Sequence, residues 1–201
     1  MWELFERGGP LMWPILACSV IAVAAFVDRL LATRRKAVMP DMVYRALFAH
    51  LEARDTAAAE ALLRADPSPM ARTLLSGLRH RAAGRDVVKK AMEDVGALAL
   101  GRLERGLGVL GTTAAIAPLL GLLGTVGGMI EVFGQMELMK DPEMSVLAGG
   151  IWKALITTGF GLTVAIPILI GQRFIEGRLD RYAHELDEHA LALVDRVDPL
   201  P

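Results

Sequence analysis

The sequence predicts an all-α membrane protein with three transmembrane helices and long helices extending into a cytoplasmic helical bundle. Three observations predict it. Apolar residues collect in three blocks separated by ordinary charged stretches, basic residues flank those blocks on alternate sides, and no segment shows the signal of a β-sheet. The chain is 53% hydrophobic, above the roughly 45–50% of a soluble domain with glycine counted, and its mean hydropathy is +0.40.

The first block, LMWPILACSVIAVAAFV at residues 11–27, carries no charge. Leu30, Leu31 and Ala32 extend it to 11–32 once Asp28 and Arg29 reach the interface. The second, residues 106–130, and the third, residues 146–171, are long enough against the ~20 apolar residues that cross a hydrocarbon core. The third contains one charge, Lys153. Irregular backbone cannot face lipid, so all three are read as helices. Ala22-Val23-Ala24 also fits the small-x-small cleavage site of a secretory leader. Against that reading, the start MWELFER holds Glu3 and Glu6, whereas a leader opens on positive charge.

Charge sets the orientation. Arg29, Arg34, Arg35 and Lys36 follow the first span, Arg102 and Arg105 precede the second, and Arg173, Arg178 and Arg181 follow the third. The other flanks are poor in basic residues: Arg7 alone at the N-terminus, and Lys140 among four acids between Glu131 and Ser145. The N-terminus is therefore expected outside, residues 33–105 in the cytoplasm, 131–145 as a short outer loop and 172–201 as a cytoplasmic C-terminal helix.

Residues 1–10 suit a small amphipathic segment in the outer interface, ended by Gly8-Gly9-Pro10. Within 33–105 the helix signals follow one another. Pro40 suits a start, Asp55 or Thr56 can cap the next helix, Pro67 and Pro69 break the chain, and Gly84 breaks it again. From Asp86 the pattern runs without an obvious stop into the second span. Val87, Val88, Ala91, Val95, Leu98 and Leu103 form an apolar stripe there, and Phe174, Leu179, Tyr182, Leu186 and Leu193 form one in the tail. These helices can pack as a cytoplasmic bundle.

Several function classes lack their residues. The net charge of −1 offers no basic field for nucleic acid. A single cysteine, Cys18, cannot form an internal disulfide, no Cys/His cluster has metal-ligand spacing, and no phosphate loop or nucleophile elbow is present. Neither enzyme, metal site nor cofactor is expected. The four histidines sit on cytoplasmic helices and read as solvated.

The intramembrane polar residues are the informative ones. Spans two and three are dense in glycine, alanine and threonine, with Gly124 and Gly128 forming a GxxxG pair suited to close helix packing. Thr112, Thr113, Thr125, Thr157, Thr158 and Thr163 lie in or near the apolar zone; each could simply bond back to its own helix. Pro118 and Pro167 favour kinks. No Asp or Glu lies centrally in any span, so a titrating carboxylate for proton passage has to come from a partner. Lys153 lies toward the outer end, where it can snorkel or pair with Glu131.

The run Ala117-Pro118-Leu119-Leu120-Gly121-Leu122-Leu123-Gly124-Thr125-Val126-Gly127-Gly128-Met129-Ile130, with Gly150-Ile151, Ala154-Leu155-Ile156-Thr157-Thr158-Gly159-Phe160-Gly161-Leu162 and Ala165-Ile166-Pro167, resembles the MotA/TolQ/ExbB proton channel family. The opening GGPLMWPILACSVIAVAAFVDRL is most similar to ExbB members. The likeness spans nearly the whole chain, and its transmembrane motifs are far more specific than its cytoplasmic part. It implies a homopentameric ring in the bacterial inner membrane, with spans two and three lining a pore. It also implies an ExbD-like single-span partner bearing a membrane aspartate, and a TonB-like transducer for transport across the outer membrane. Thr125 and Thr158 match the family's pore threonines. Lys153 departs from members that carry an acid there. A TolQ-like envelope-maintenance motor or gliding-type stator is the alternative within the family. A non-conducting membrane scaffold, its glycines and threonines serving packing alone, is the alternative outside it.

Overall fold

Apolar segments without water to satisfy their backbone close it internally, and helix is the economical way to do so. The computed structural model describes residues 5–6, 8–138 and 144–197, and no strand occurs among them. The helices are α1 (Met12–Ala32), α2 (Arg35–Val38), α3 (Asp41–Glu52), α4 (Thr56–Ala65), α5 (Pro69–Arg79), α6 (Arg85–Glu104), α7 (Leu107–Leu138) and α8 (Met144–Val197). A 3-10 turn, Arg81–Ala83, lies between α5 and α6. Three stretches are long and apolar enough to cross a membrane, within Met12–Ala32, Arg85–Glu137 and Leu147–Arg196, so this is a membrane protein.

The chain divides into two units, Met1–Val27 with Leu107–Arg173, and Asp28–Gly106 with Phe174–Pro201. The first holds the paired spans of α7 and α8 and most of α1. Its α1 buries Met12, Ile15 and Ala22 and leaves Trp13, Val20, Ile21 and Val23 exposed. Only one narrow stripe of this helix is needed for packing, and the remaining apolar surface suits lipid or another chain.

The second unit follows its local signals. Asp55 caps α4 by accepting from the Ala58 N–H at 2.9 Å, Ser68 caps α5 through Ala71 N–H at 3.2 Å, and Pro69 occupies the first turn of α5. Gly84 stands at φ +93°, a left-handed conformation that turns the chain into α6. Leu47, Leu63, Leu74, Met92, Ile175 and Leu193 are among the side chains that close its core.

Three expectations change. The buried stripe of α6 is Val88, Met92, Gly96 and Leu100, at strict four-residue spacing, while Val87 and Leu98 face out, Leu98 at 68% exposure. Apolar content misplaced the stripe because Gly96 belongs to it: a Cβ there would press on Leu186 at 3.2 Å and stand in ordinary contact with Thr73 at 3.6 Å. In the tail, Ile175 is buried in place of Phe174. The helix entering span two runs on as expected, Arg85–Glu137 forming one long apolar-ended helix that loosens for a single turn at Arg105-Gly106, where Arg105 keeps helical dihedrals. There the Arg29 guanidinium fills the space beside Gly106 and donates to the Leu103 carbonyl at 3.4 Å, competing with the helical ladder. Finally, α7 continues past Ile130 to Leu138 and α8 begins at Met144, so much of the predicted 131–145 loop is helical. Residues 139–143, and most of the predicted interfacial segment 1–10, lie outside the described residues.

Candidate functional site

The seam between α7 and α8 is made of small residues in matching registers. Ala117, Gly121, Gly124 and Gly128 on α7 recur at spacings of four, three and four, as do Gly150, Ala154, Thr157 and Gly161 on α8. That average of about 3.7 stays close to the 3.6 residues of a helical turn, so one face of each helix stays on the other. A methyl added at Gly121 would lie 3.0 Å from both Thr157 O and Thr158 Cα, and one at Gly161 would lie 2.6 Å from Ala117 O. One at Gly124 would lie 2.5 Å from Thr157 Oγ1, and one at Gly128 would lie 3.3 Å from Ala154 Cβ. The backbones therefore approach closely because the side chains are missing.

The hydroxyls divide into two kinds. Thr158 Oγ1 donates across the seam to Gly121 O at 3.0 Å. Thr125 Oγ1 instead donates to Leu122 O on its own helix at 2.7 Å. Thr113 and Thr163 bond back in the same way, to Val109 O and Gly159 O, each at 2.7 Å. Thr157, 1% exposed, fills the space opposite Gly124 and shares its proton between Lys153 O at 3.0 Å and Ala154 O at 2.9 Å. Thus Gly121 and Thr158 meet directly, as do Gly124 and Thr157, while the hydroxyl of Thr125 stays on its own helix.

Pro118 and Pro167 sit inside α7 and α8. Each lacks an N–H, which leaves the carbonyls of Ala114 and Thr163 without their helical donors. Lys153 Nζ lies 2.6 Å from Glu131 Oε2, joining α8 to α7 through an ion pair. A methyl at Gly9 would lie 2.8 Å from Lys153 Cε, so the stem of this lysine passes along the segment before α1.

Sequence reasoning singled out Gly121, Gly124 and Gly128 for packing, whereas their counterparts Gly150, Ala154 and Gly161 entered only within the family-like runs, and the packing part of Thr157 was missed. The signal was present as the repeated four-three-four spacing of small residues on both helices. Chemically, this seam offers hydroxyls and backbone carbonyls. Such groups can hydrogen-bond a carboxyl or help to solvate a cation, but they do not titrate near neutral pH. Among the described residues, no three His, Cys, Asp or Glu side chains converge as a metal ion requires.

Residues 65–188 match the MotA/TolQ/ExbB proton channel family. The ExbB-like 1 protein of Synechocystis is 34% identical over 83% of this chain and 66% of its own length. The biopolymer transport protein ExbB homologue of Methanothermobacter thermautotrophicus is 30% identical over 89% of this chain and 63% of its own length. The biopolymer transport protein exbB1 of Vibrio cholerae is 30% identical over 96% of this chain and 86% of its own length. The chain thus spans about two thirds of the first two relatives and most of the third.

Proposed function

Because this chain belongs to the MotA/TolQ/ExbB proton channel family, we propose that it is the pore-forming subunit of an ExbB-like, proton-driven motor of the inner membrane that energises TonB-dependent transport across the outer membrane. The family is one of channel and transport subunits rather than of enzymes. The observation that carries the reading is the polar content of the spans: hydroxyls along α7 and α8 and no carboxylate within residues 106–130 or 146–171. A chain so built shapes and lines a proton path but cannot hold the proton itself. The titrating group is supplied by an ExbD-like single-span partner whose membrane aspartate enters a ring, expected to be pentameric, formed by copies of this chain. A TonB-like transducer takes up the work. The basic flanks at Arg34–Lys36, Arg102–Arg105 and Arg173–Arg181 support an outer N-terminus and a cytoplasmic C-terminus. Relatives named as biopolymer transport proteins support the transport assignment.

Thr125 and Thr158 are the residues assigned to the path, and their valine variants test it. Valine keeps the shape and deletes the hydroxyl. The bond lost at Thr158 costs only about 0.6 kcal/mol, typical of hydrogen bonds between membrane helices, so insertion and assembly persist. Siderophore uptake by cells carrying only the variant chain falls at least tenfold for either substitution, while native mass spectrometry still finds the five-membered ring with its partner. Wild-type uptake in both variants would overturn the proposal and favour a packing scaffold.

A further inference from the structure

Four arginines converge on one cavity just beyond the membrane-spanning part of α1. The cavity, about 290 Å³, is lined by Arg34, Arg35, Arg178, Arg181, Tyr182 and Glu185. Glu185 is the only acid lining it, and Arg35 takes both its oxygens at 3.0 and 2.8 Å while holding Asp41 at 3.1 Å. The other three guanidiniums have no carboxylate partner among the described residues. Arg178 donates Nη1 to Thr33 O at 3.5 Å, and Arg181 donates Nε to Gly177 O at 3.2 Å. The Arg34 side chain makes no hydrogen bond or ion pair among the described residues. Tyr182 OH donates to Thr33 O at 3.0 Å, which ties α8 to the segment after α1 and fixes the floor of the cavity.

Depth and surroundings narrow the ligand. Arg34 lies two residues past the end of α1, and Arg178 and Arg181 stand about two and three helical turns beyond Gly171 on α8. That places the guanidiniums at or just past the headgroup layer, within reach of it by snorkelling. Phe174, 50% exposed, lies with its ring 5.0 Å from the Arg178 guanidinium, so apolar surface adjoins the charge. Orientation signals need only charge on a flank; they do not require a cavity with three uncompensated guanidiniums and a neighbouring apolar ring.

We propose that this cavity binds the phosphate of an anionic phospholipid headgroup, with Arg34, Arg178 and Arg181 on its oxygens and Phe174 beside the start of an acyl chain. The chemistry recognised is a phosphate anion, for which guanidinium donors suit both charge and geometry. Basic pockets at the ends of membrane helices are where such headgroups lodge. The site rests on the membrane reading of the chain and is independent of whether the ring conducts protons.

The test uses the full chain in detergent, titrated with phosphatidylglycerol, phosphatidylcholine or inorganic phosphate and read by native mass spectrometry and by thermal shift. Phosphatidylglycerol binds the wild type and phosphatidylcholine does not. Arg34→Gln weakens the binding about fivefold and Arg178→Gln/Arg181→Gln about thirtyfold, as expected for roughly one surface charge contribution per arginine. Arg102→Gln, which removes the same charge outside the cavity, leaves it unchanged. The Arg34 side chain makes no hydrogen bond or ion pair among the described residues, and its backbone bonds survive the exchange, so its variant tests the site without endangering folding. Equal weakening by Arg34→Gln and Arg102→Gln would overturn the proposal in favour of diffuse attraction. An identical response to inorganic phosphate would assign a soluble anion instead of a lipid, and displacement of phosphatidylglycerol by an acidic peptide at lower concentration would assign a protein segment. Either result would also overturn it.

Discussion

Replacing Gly161 by alanine puts a methyl where α7 and α8 meet backbone to backbone. The new Cβ would stand 2.6 Å from Ala117 O and 3.2 Å from Gly121 Cα. Carbon and oxygen in close contact rest at about 3.3 Å or more, so the helices have to part by roughly 0.7 Å. A carbonyl in a helix cannot swing aside as a side-chain tip can. Parting by that much stretches the Thr158 to Gly121 bond from 3.0 Å to about 3.7 Å, beyond hydrogen-bond range. Overpacking of this kind costs about 1–3 kcal/mol, the lost bond adds about 0.6 kcal/mol, and the better helix propensity of alanine returns about 0.5–1 kcal/mol. The net loss of about 1–3 kcal/mol corresponds, at roughly 2–4 °C per kcal/mol for a chain of this size, to a Tm lower by about 2–12 °C. Thermal unfolding in detergent, followed by tryptophan fluorescence, measures it. Gly159→Ala is the control: the same exchange in the same span, at a position where an added methyl meets nothing within 4 Å. Equal Tm values for Gly161→Ala and Gly159→Ala would refute the reasoning about the seam.

Other expectations follow from single interactions. Asp55→Ala removes the cap on Ala58 N–H and lowers stability by about 1 kcal/mol, read from the Tm of the full chain, with Asp55→Ser recovering most of it. Burial holds the His189 imidazole below its usual range, against the raising influence of Glu185, Glu188 and Asp41; its ring stacks on Tyr44 at 3.8 Å. Folding therefore favours the neutral ring. That contribution is fully present above the ordinary histidine pKa of about 6.5 and is lost as pH falls through the lower folded value. Tm thus declines between pH 7 and 5, and His189→Gln flattens the decline. Lys153→Met breaks the pair with Glu131, which is partly exposed, and changes stability by less than about 1 kcal/mol in the same thermal assay. A larger loss would mean that this pair anchors α8 to α7.

Length, apolarity and flanking charge were enough to read three helical spans, because a bilayer leaves the backbone one local solution whatever the rest of the chain does. Caps and breakers were legible for a similar reason. Asp55, Pro69 and Gly84 act on bonds and dihedral angles within a few residues of themselves. The family likeness rested on equally local runs of residues in spans two and three.

What tertiary structure decided was which face of each helix meets which neighbour. Apolar content alone selected Val87 and Leu98 for the buried side of α6, whereas the helix turns Gly96 inward against Leu186 and Thr73. Composition cannot distinguish a glycine that only weakens a helix from one that makes room for another. Likewise all six intramembrane threonines look alike along the chain. Only the pairing of α7 with α8 separates Thr158, which reaches across to Gly121, from Thr125, which folds back on its own turn. The sequence by itself determined helices, spans and flanking charge, since those depend on near neighbours and on solvent. The seam, the crossing hydroxyl and the arginine-lined cavity depend on residues dozens of positions apart, and only folding brings those together.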